Sequence, residues 1–122
     1  MSKHVPAAAP GLTVDIELHA GDMAIVRCHG RLVAGTTQIL YSKVDALMPE
    51  IQRVVLDLSD VQYTDSMGLG GLARLYVTAR AAGCTLELLN LSQQIRHLLG
   101  ITKMLEVFPI VGEDGLDLVA SC

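Results

Sequence analysis

The sequence has no tryptophan, one phenylalanine (Phe108) and three tyrosines, so aromatics make up 3% of its 122 residues. Single-strand nucleic-acid binders need aromatic platforms on which bases stack, and this chain lacks them. Positive charge is also scarce. Nine Lys and Arg stand against 13 Asp and Glu, for a net charge of −4. Phosphate backbones are held by Lys and Arg, so nucleic acid is excluded as a partner. Cysteine is limited to Cys28, Cys84 and Cys122, far apart and without a Cys-x-x-Cys pair. That spacing excludes a disulfide framework and a zinc site. It suits a reducing cytoplasm, with Cys28 and Cys84 packed as small hydrophobes. Long apolar runs are missing too. The uncharged stretch Leu32–Ser42 is well short of the ~20 residues of a membrane span. Met1–Pro10 (MSKHVPAAAP) has no apolar core, so it reads as a flexible tail and not as a signal peptide.

What the chain does have is aliphatic side chains. Hydrophobic residues make up 51% of it and charged residues 18%, where an ordinary domain is about 25% charged. Mean hydropathy is +0.44. Disorder needs the opposite balance. The length fits one domain, here residues 11–122. Oligomeric state stays open between a monomer and a weak dimer.

Two hydrophobic periods alternate along the chain. Leu12, Val14, Ile16 and Leu18 share one face of a period-2 strand. Gly21-Asp22 turns the chain into a second strand, Met23–His29, and Gly30 to Gly35 reads as a loop. Thr36 or Thr37 then caps a helix carrying Leu40, Val44, Leu47 and Met48, stopped by Pro49. Arg53–Leu58 (RVVLDL) is apolar on both faces at its centre, which predicts a buried strand with helices on both sides. A polar stretch, Ser59–Asp65, precedes a helix from Ser66 to about Ala82, ended by Gly83. Cys84–Leu89 is another strand. Ser92 caps a third helix closed by Gly100, Val107–Ile110 is a short edge strand, and Glu113–Ala120 is a weak terminal helix. The class is α/β: a mixed, mostly parallel sheet of about five strands with about four helices.

The candidate site is Tyr63-Thr64-Asp65-Ser66-Met67-Gly68-Leu69-Gly70-Gly71. It follows the central strand and opens a helix, where α/β sheets gather function. A helix N-terminus offers free N–H groups and partial positive charge. Four readings of Ser66 compete. As a nucleophile it has Gly68 at the +2 position of Gly-x-Ser-x-Gly, but Thr64 holds the −2 position. As part of a dinucleotide site, Gly68-x-Gly70-x-x-Ala73 fits Gly-x-Gly-x-x-Ala. There the first glycine must close the turn after the strand, and these glycines fall inside the helix, on its outward face. As a phosphoacceptor, Ser66 would gain about −1.5 to −2 charge beside Asp65, changing the surface a partner meets. Finally, Ser66 can be a plain helix cap.

The run Val54-Val55-Leu56-Asp57-Leu58-Ser59, then Asp65-Ser66-x-Gly68-Leu69-Gly70, then Leu88-Leu89-Asn90-Leu91-Ser92 resembles the STAS domain family. It is most similar to the bacterial anti-sigma factor antagonists (anti-anti-sigma factors) within it. The resemblance spans about Leu12 to Ala120 and implies a single STAS-type domain. It also implies a protein that is not an enzyme, with Ser66 as phosphoacceptor. The implied partners are an anti-sigma factor that is an ATP-dependent serine kinase and a PP2C-type phosphatase. The unphosphorylated form would bind the anti-sigma factor and free the sigma factor, and phosphorylation would end that binding. The implied partner-binding residues are Gly30, Val33, Thr64, Asp65, Met67, Gly68, Leu69 and Gly70. Two positions depart from the family pattern. Val33 stands where a carboxylate is common, and Met67 where a second Ser is common. Val33 motivates an alternative, a constitutive STAS adaptor in a larger signalling or transport assembly.

Asp57, in a buried-looking strand, reads as an internally satisfied hydrogen-bonding group. His29 and His97 lack a second ligand at i+3 or i+4, so neither predicts a metal site. No cofactor is implied.

Overall fold

The computed structural model describes residues 11–48, 50–104 and 106–111. Five strands and three helices are seen among them: β1 (Leu12–His19), β2 (Met23–Leu32), α1 (Thr37–Asp45), β3 (Arg53–Thr64), α2 (Ser66–Ala81), β4 (Thr85–Leu89), α3 (Gln93–Ile101) and β5 (Ile110–Val111). The expected tail, Pro49 and the terminal helix Glu113–Ala120 lie outside the described residues. The strands form one sheet in the order β1-β2-β3-β4-β5. β1 and β2 are antiparallel, and the later pairs are parallel. The mixed, mostly parallel sheet predicted from the sequence is therefore present.

Alternation along the strands sorts side chains to two faces. Val54, Leu56 and Leu58 join a large cluster with Leu40 and Val44 of α1, Leu72 and Leu75 of α2, and Ile95 and Leu99 of α3. Met23, Ile25, Val55 and Leu89 form a small second cluster. All three described helices thus send their buried side chains to one face. The expectation of helices on both sides is not met among the described residues. Towards β1 the second face carries charges instead: Arg27 contacts Glu17 (2.7 Å) and Asp57 (3.6 Å), and His29 lies between Asp15 (3.1 Å) and Asp60 (2.8 Å).

Several boundaries differ from the sequence reading, each for a local reason. β2 continues through Gly30 to Leu32, so the loop starts later. Gly30 has φ +114°, and a Cβ there would fall on the Gly11 carbonyl oxygen; only glycine suits that backbone. β3 continues six residues past Leu58, into the polar stretch Ser59–Asp65 expected to follow the strand. Two register shifts against β2 absorb its broken alternation. At the first shift the Asp57 carboxylate accepts from the Ser59 N–H (3.0 Å), so Asp57 is satisfied internally as expected. α1 ends at Asp45, short of Met48. α3 runs past Gly100 to Ile101, and Lys103 (φ +63°) takes the left-handed position beyond its end. β5 starts at Ile110 because Val107 and Phe108 fold back on the Met104 carbonyl, burying Phe108. Other signals hold: Gly83 (φ +77°) follows the end of α2, and Ser92 caps α3 by accepting from the Ile95 N–H (3.2 Å).

Both cysteine thiols in the described part are buried. Burial pushes the Cys28 thiol up to about 12 and raises that of Cys84. Cys28 therefore stays a neutral hydrophobe near pH 7.

Packing predicts where substitution hurts. Leu72 is fully buried at 0% exposure, whereas Val77 on the same helix is 66% exposed. Leu72→Ala is expected to cost about 2–5 kcal/mol, and Val77→Ala less than about 0.5 kcal/mol, read from urea unfolding midpoints.

Candidate functional site

The site forms where β2 and β3 end side by side. Leu32 pairs with Thr64 at the last step of the parallel ladder. The buried Thr64 hydroxyl donates to the Leu32 carbonyl at 2.6 Å and ties the two strand ends together. Beyond Leu32, the buried Thr36 hydroxyl donates to the Arg31 carbonyl (2.8 Å) and accepts from the Val33 N–H (2.9 Å). Thr36 is thus the N-cap residue of α1 by position, but its hydroxyl braces the loop and makes no cap bond. Beyond Thr64 the chain turns directly into α2.

Asp65 is the N-cap of α2. Its carboxylate accepts from the Gly68 N–H at 2.8 Å, a favoured arrangement at a helix start. The reading of Ser66 as the cap is overturned, because the residue before it does that work. Ser66 is the first helical residue. It is exposed, and its hydroxyl has no hydrogen bond to the described residues. Met67 is 61% exposed and Tyr63 43% exposed. The Arg31 guanidinium lies over the Tyr63 ring, 5.4 Å from its centre. Asp65, Ser66, Met67 and Tyr63 thus share one patch, part acidic and part apolar.

The other expected residues sit beneath or beside that patch. Val33 is half-buried in the loop after β2, Gly30 is half-buried inside β2, and Gly70 is exposed. Thr64 (1% exposed) and Leu69 (4%) are core residues. Their side chains hold the segment from below, and a partner meets the surface they support. Gly68 is buried: a Cβ there would fall on the Leu32 carbonyl oxygen and the Thr64 hydroxyl. Gly71 packs on Thr37 of α1, whereas Gly70 faces open space. The expectation that Gly68 and Gly70 thin an outward face therefore fails for Gly68, which, like Gly71, allows close approach inward.

Gln94, in the first turn of α3, was not among the expected residues. Its side-chain amide donates to the Thr64 carbonyl (3.1 Å) and accepts from the Thr64 N–H (3.2 Å). It acts as a one-residue strand beside the end of β3. The sequence signal was its place next to the Ser92 cap, which carries no hint of a partner 30 residues away.

The nucleophile reading finds no support among the described residues of the patch. Among the described residues no histidine hydrogen-bonds Ser66: His29 is held by Asp15 and Asp60, and His97 is exposed on α3. The dinucleotide reading fails too, since Gly68 and Gly70 lie within α2 and not in the strand-to-helix turn. No group of three or more described His, Cys, Asp or Glu residues is placed to hold a metal. No described helix is long and apolar enough to cross a membrane.

A mixed, mostly parallel α/β sheet with this site at the carboxyl ends of β2 and β3 defines the class, and comparison with known proteins supplies the family. Residues 14–113 match the STAS domain family, and the chain belongs to it. The chain is 26% identical over 101 residues to an anti-sigma F factor antagonist of Paenibacillus polymyxa, covering 81% of this chain and 86% of the relative. It superposes on an anti-sigma factor antagonist from Mycobacterium paratuberculosis with a TM-score of 0.76 at 23% identity, over 93% of this chain and 95% of that one. The unphosphorylated form of the anti-sigma factor antagonist SpoIIAA gives 0.71 at 16% identity, over 89% and 97%.

The two glycines of α2 provide a sharp test. Gly68→Ala is expected to cost about 1–3 kcal/mol by forcing backbone apart. Gly70→Ala is expected to stabilise by up to about 1 kcal/mol. Thermal or urea unfolding of the two variants checks the opposite signs.

Proposed function

We propose that this protein is an anti-sigma factor antagonist whose switch is Ser66. The observation that carries the reading is the division of labour at the start of α2. Asp65 caps the helix, and the adjacent Ser66 hydroxyl is exposed and uncommitted to any described residue. A kinase can reach such a hydroxyl without unfolding the helix. A phosphate on the first helical residue is tolerated by the helix dipole. It still adds about −1.5 to −2 charge and a hydrated bulk to the patch of Tyr63, Asp65 and Met67.

In this reading the unphosphorylated form binds an anti-sigma factor and frees its sigma factor. The anti-sigma factor is itself the serine kinase that modifies Ser66. A PP2C-type phosphatase restores the hydroxyl. The protein acts in the cytoplasm, as a binding module and not as a catalyst. The names of its relatives, the family match and the exposed Ser66 support this. Asp65, Met67, Gly68 and Gly70 shape the surface the kinase reads, with Thr64 and Leu69 beneath it and Gly30 and Val33 in and after β2.

A second reading is favoured by Val33. A half-buried aliphatic side chain replaces the carboxylate that the resemblance leads one to expect. A STAS adaptor that binds constantly would not need that carboxylate.

Intact mass spectrometry after incubation with ATP and the cognate anti-sigma factor separates the two. One phosphate on the wild type and none on Ser66→Ala is expected. No added phosphate supports the adaptor. In a binding assay Ser66→Ala is expected to keep its affinity for the anti-sigma factor and to be insensitive to ATP. Ser66→Asp is expected to bind far more weakly; a thousandfold loss corresponds to about 4 kcal/mol.

A further inference from the structure

β1 is the edge of the sheet. Its inner side pairs with β2 from Leu12 to His19, and no described strand lies on its outer side. Natural edge strands are usually blunted by proline, charged side chains (lysine above all) or a bulge. β1 has no proline and no lysine, its two carboxylates Asp15 and Glu17 contact His29 and Arg27 of β2, and its register with β2 runs without a shift over all eight residues. Its apolar face is covered only in the first half. Leu12 (1% exposed) and Val14 (5%) are core residues, while Ile16 (37%) and Leu18 (65%) are bare.

We propose that this edge is a self-association surface: β1 of a second copy pairs antiparallel with it, about a two-fold axis through Leu18. The choice of occupant and register comes from the charges on the strand. Directly opposed residues in an antiparallel pair touch, and like charges there are destabilising. An axis through Asp15 sets that carboxylate against itself. An axis through Ile16 sets Asp15 against Glu17 of the second copy twice. An axis through Glu17 again opposes two carboxylates. Axes through Val14 or His19 leave Leu18 opposite no residue of the second β1. The axis through Leu18 pairs residues 17–19 of the two strands, leaving Ile16 beyond the ladder, and sets Leu18, the most exposed apolar residue of β1, on Leu18 and each Glu17 against the other copy's His19. That pairing repeats a contact already made within one chain, where Glu17 lies 3.4 Å from His19 and 2.7 Å from Arg27.

The interface is isologous, as closed dimers require. It is smaller than a standard stable interface, so association is weak and depends on concentration. It also leaves the Ser66 end free. Leu18 pairs with Ala24 near the start of β2, whereas Ser66 follows the far end of the parallel β3. A dimer therefore displays both copies of the Ser66 segment.

Sedimentation equilibrium of the full chain from micromolar to millimolar concentration tests it. Wild type is expected to shift from monomer towards dimer, and Leu18→Lys to remain monomeric with an unchanged far-UV spectrum. Directly opposed residues lie with Cα atoms about 4.5–5.5 Å apart, within disulfide range. In a Cys122→Ser background, Leu18→Cys is therefore expected to form a linked dimer under mild oxidation. The equally exposed Val77→Cys serves as the control and is expected to stay unlinked. A wild type that is monomeric at millimolar concentration overturns the proposal. So does a Leu18→Lys variant that associates like wild type, or a Val77→Cys variant that links as readily as Leu18→Cys.

Discussion

The Leu32 carbonyl is the point on which the site depends. It accepts the buried Thr64 hydroxyl at 2.6 Å, and it lies where any side chain on residue 68 would have to go. Two strand ends and the first turn of a helix therefore meet around one oxygen. Gly68 brings α2 in close, and Thr64 keeps β2 and β3 level. With the helix start fixed in this way, the Asp65 carboxylate reaches the Gly68 N–H and Ser66 is left pointing outward. Gln94 closes the arrangement from α3 by bonding both backbone groups of Thr64. Position, and no special reactivity, is what this framework provides. In the proposed role, that is what a residue modified by another protein requires.

How much of this can be read from residues alone depends on the range of the interaction. Strand and helix order was legible because apolar spacing is a local signal, and Gly83 and Ser92 mark helix ends through bonds a few residues away. The segment holding Ser66 was legible by the same rule and by its resemblance to a known family. The length of β3 was hidden because Ser59, Asp60 and Gln62 break the alternation that identifies strands, and the two register shifts that accommodate them belong to the pairing with β2. Asp65 and Ser66 are both good caps, so only the observed bond to Gly68 decides between them. Gly68 and Gly70 are indistinguishable as letters, yet one faces a carbonyl and the other faces space. Gln94 was invisible because its partner, Thr64, lies 30 residues away on β3.

The few charges are placed with similar economy. On the face away from the described helices, Arg27 meets carboxylates from both flanking strands, and so does His29. Exposed pairs of this kind add little stability singly. Their arrangement matters more, because Arg27 and His29 of β2 each lie between acids of β1 and β3. A strand shifted by one residue would move these groups to the apolar face, so the pattern favours a single register.

The separation of Asp65 from Ser66 has an evolutionary consequence. Had the serine been the cap, any change to it would have weakened the helix, and regulation and folding would have been under joint selection. Here the capping carboxylate carries the structural duty, and the exposed hydroxyl beside it carries none among the described contacts. A lineage can therefore gain, lose or mimic a charge at that position while the domain stays intact. The same scaffold is open to switched and unswitched descendants one codon apart.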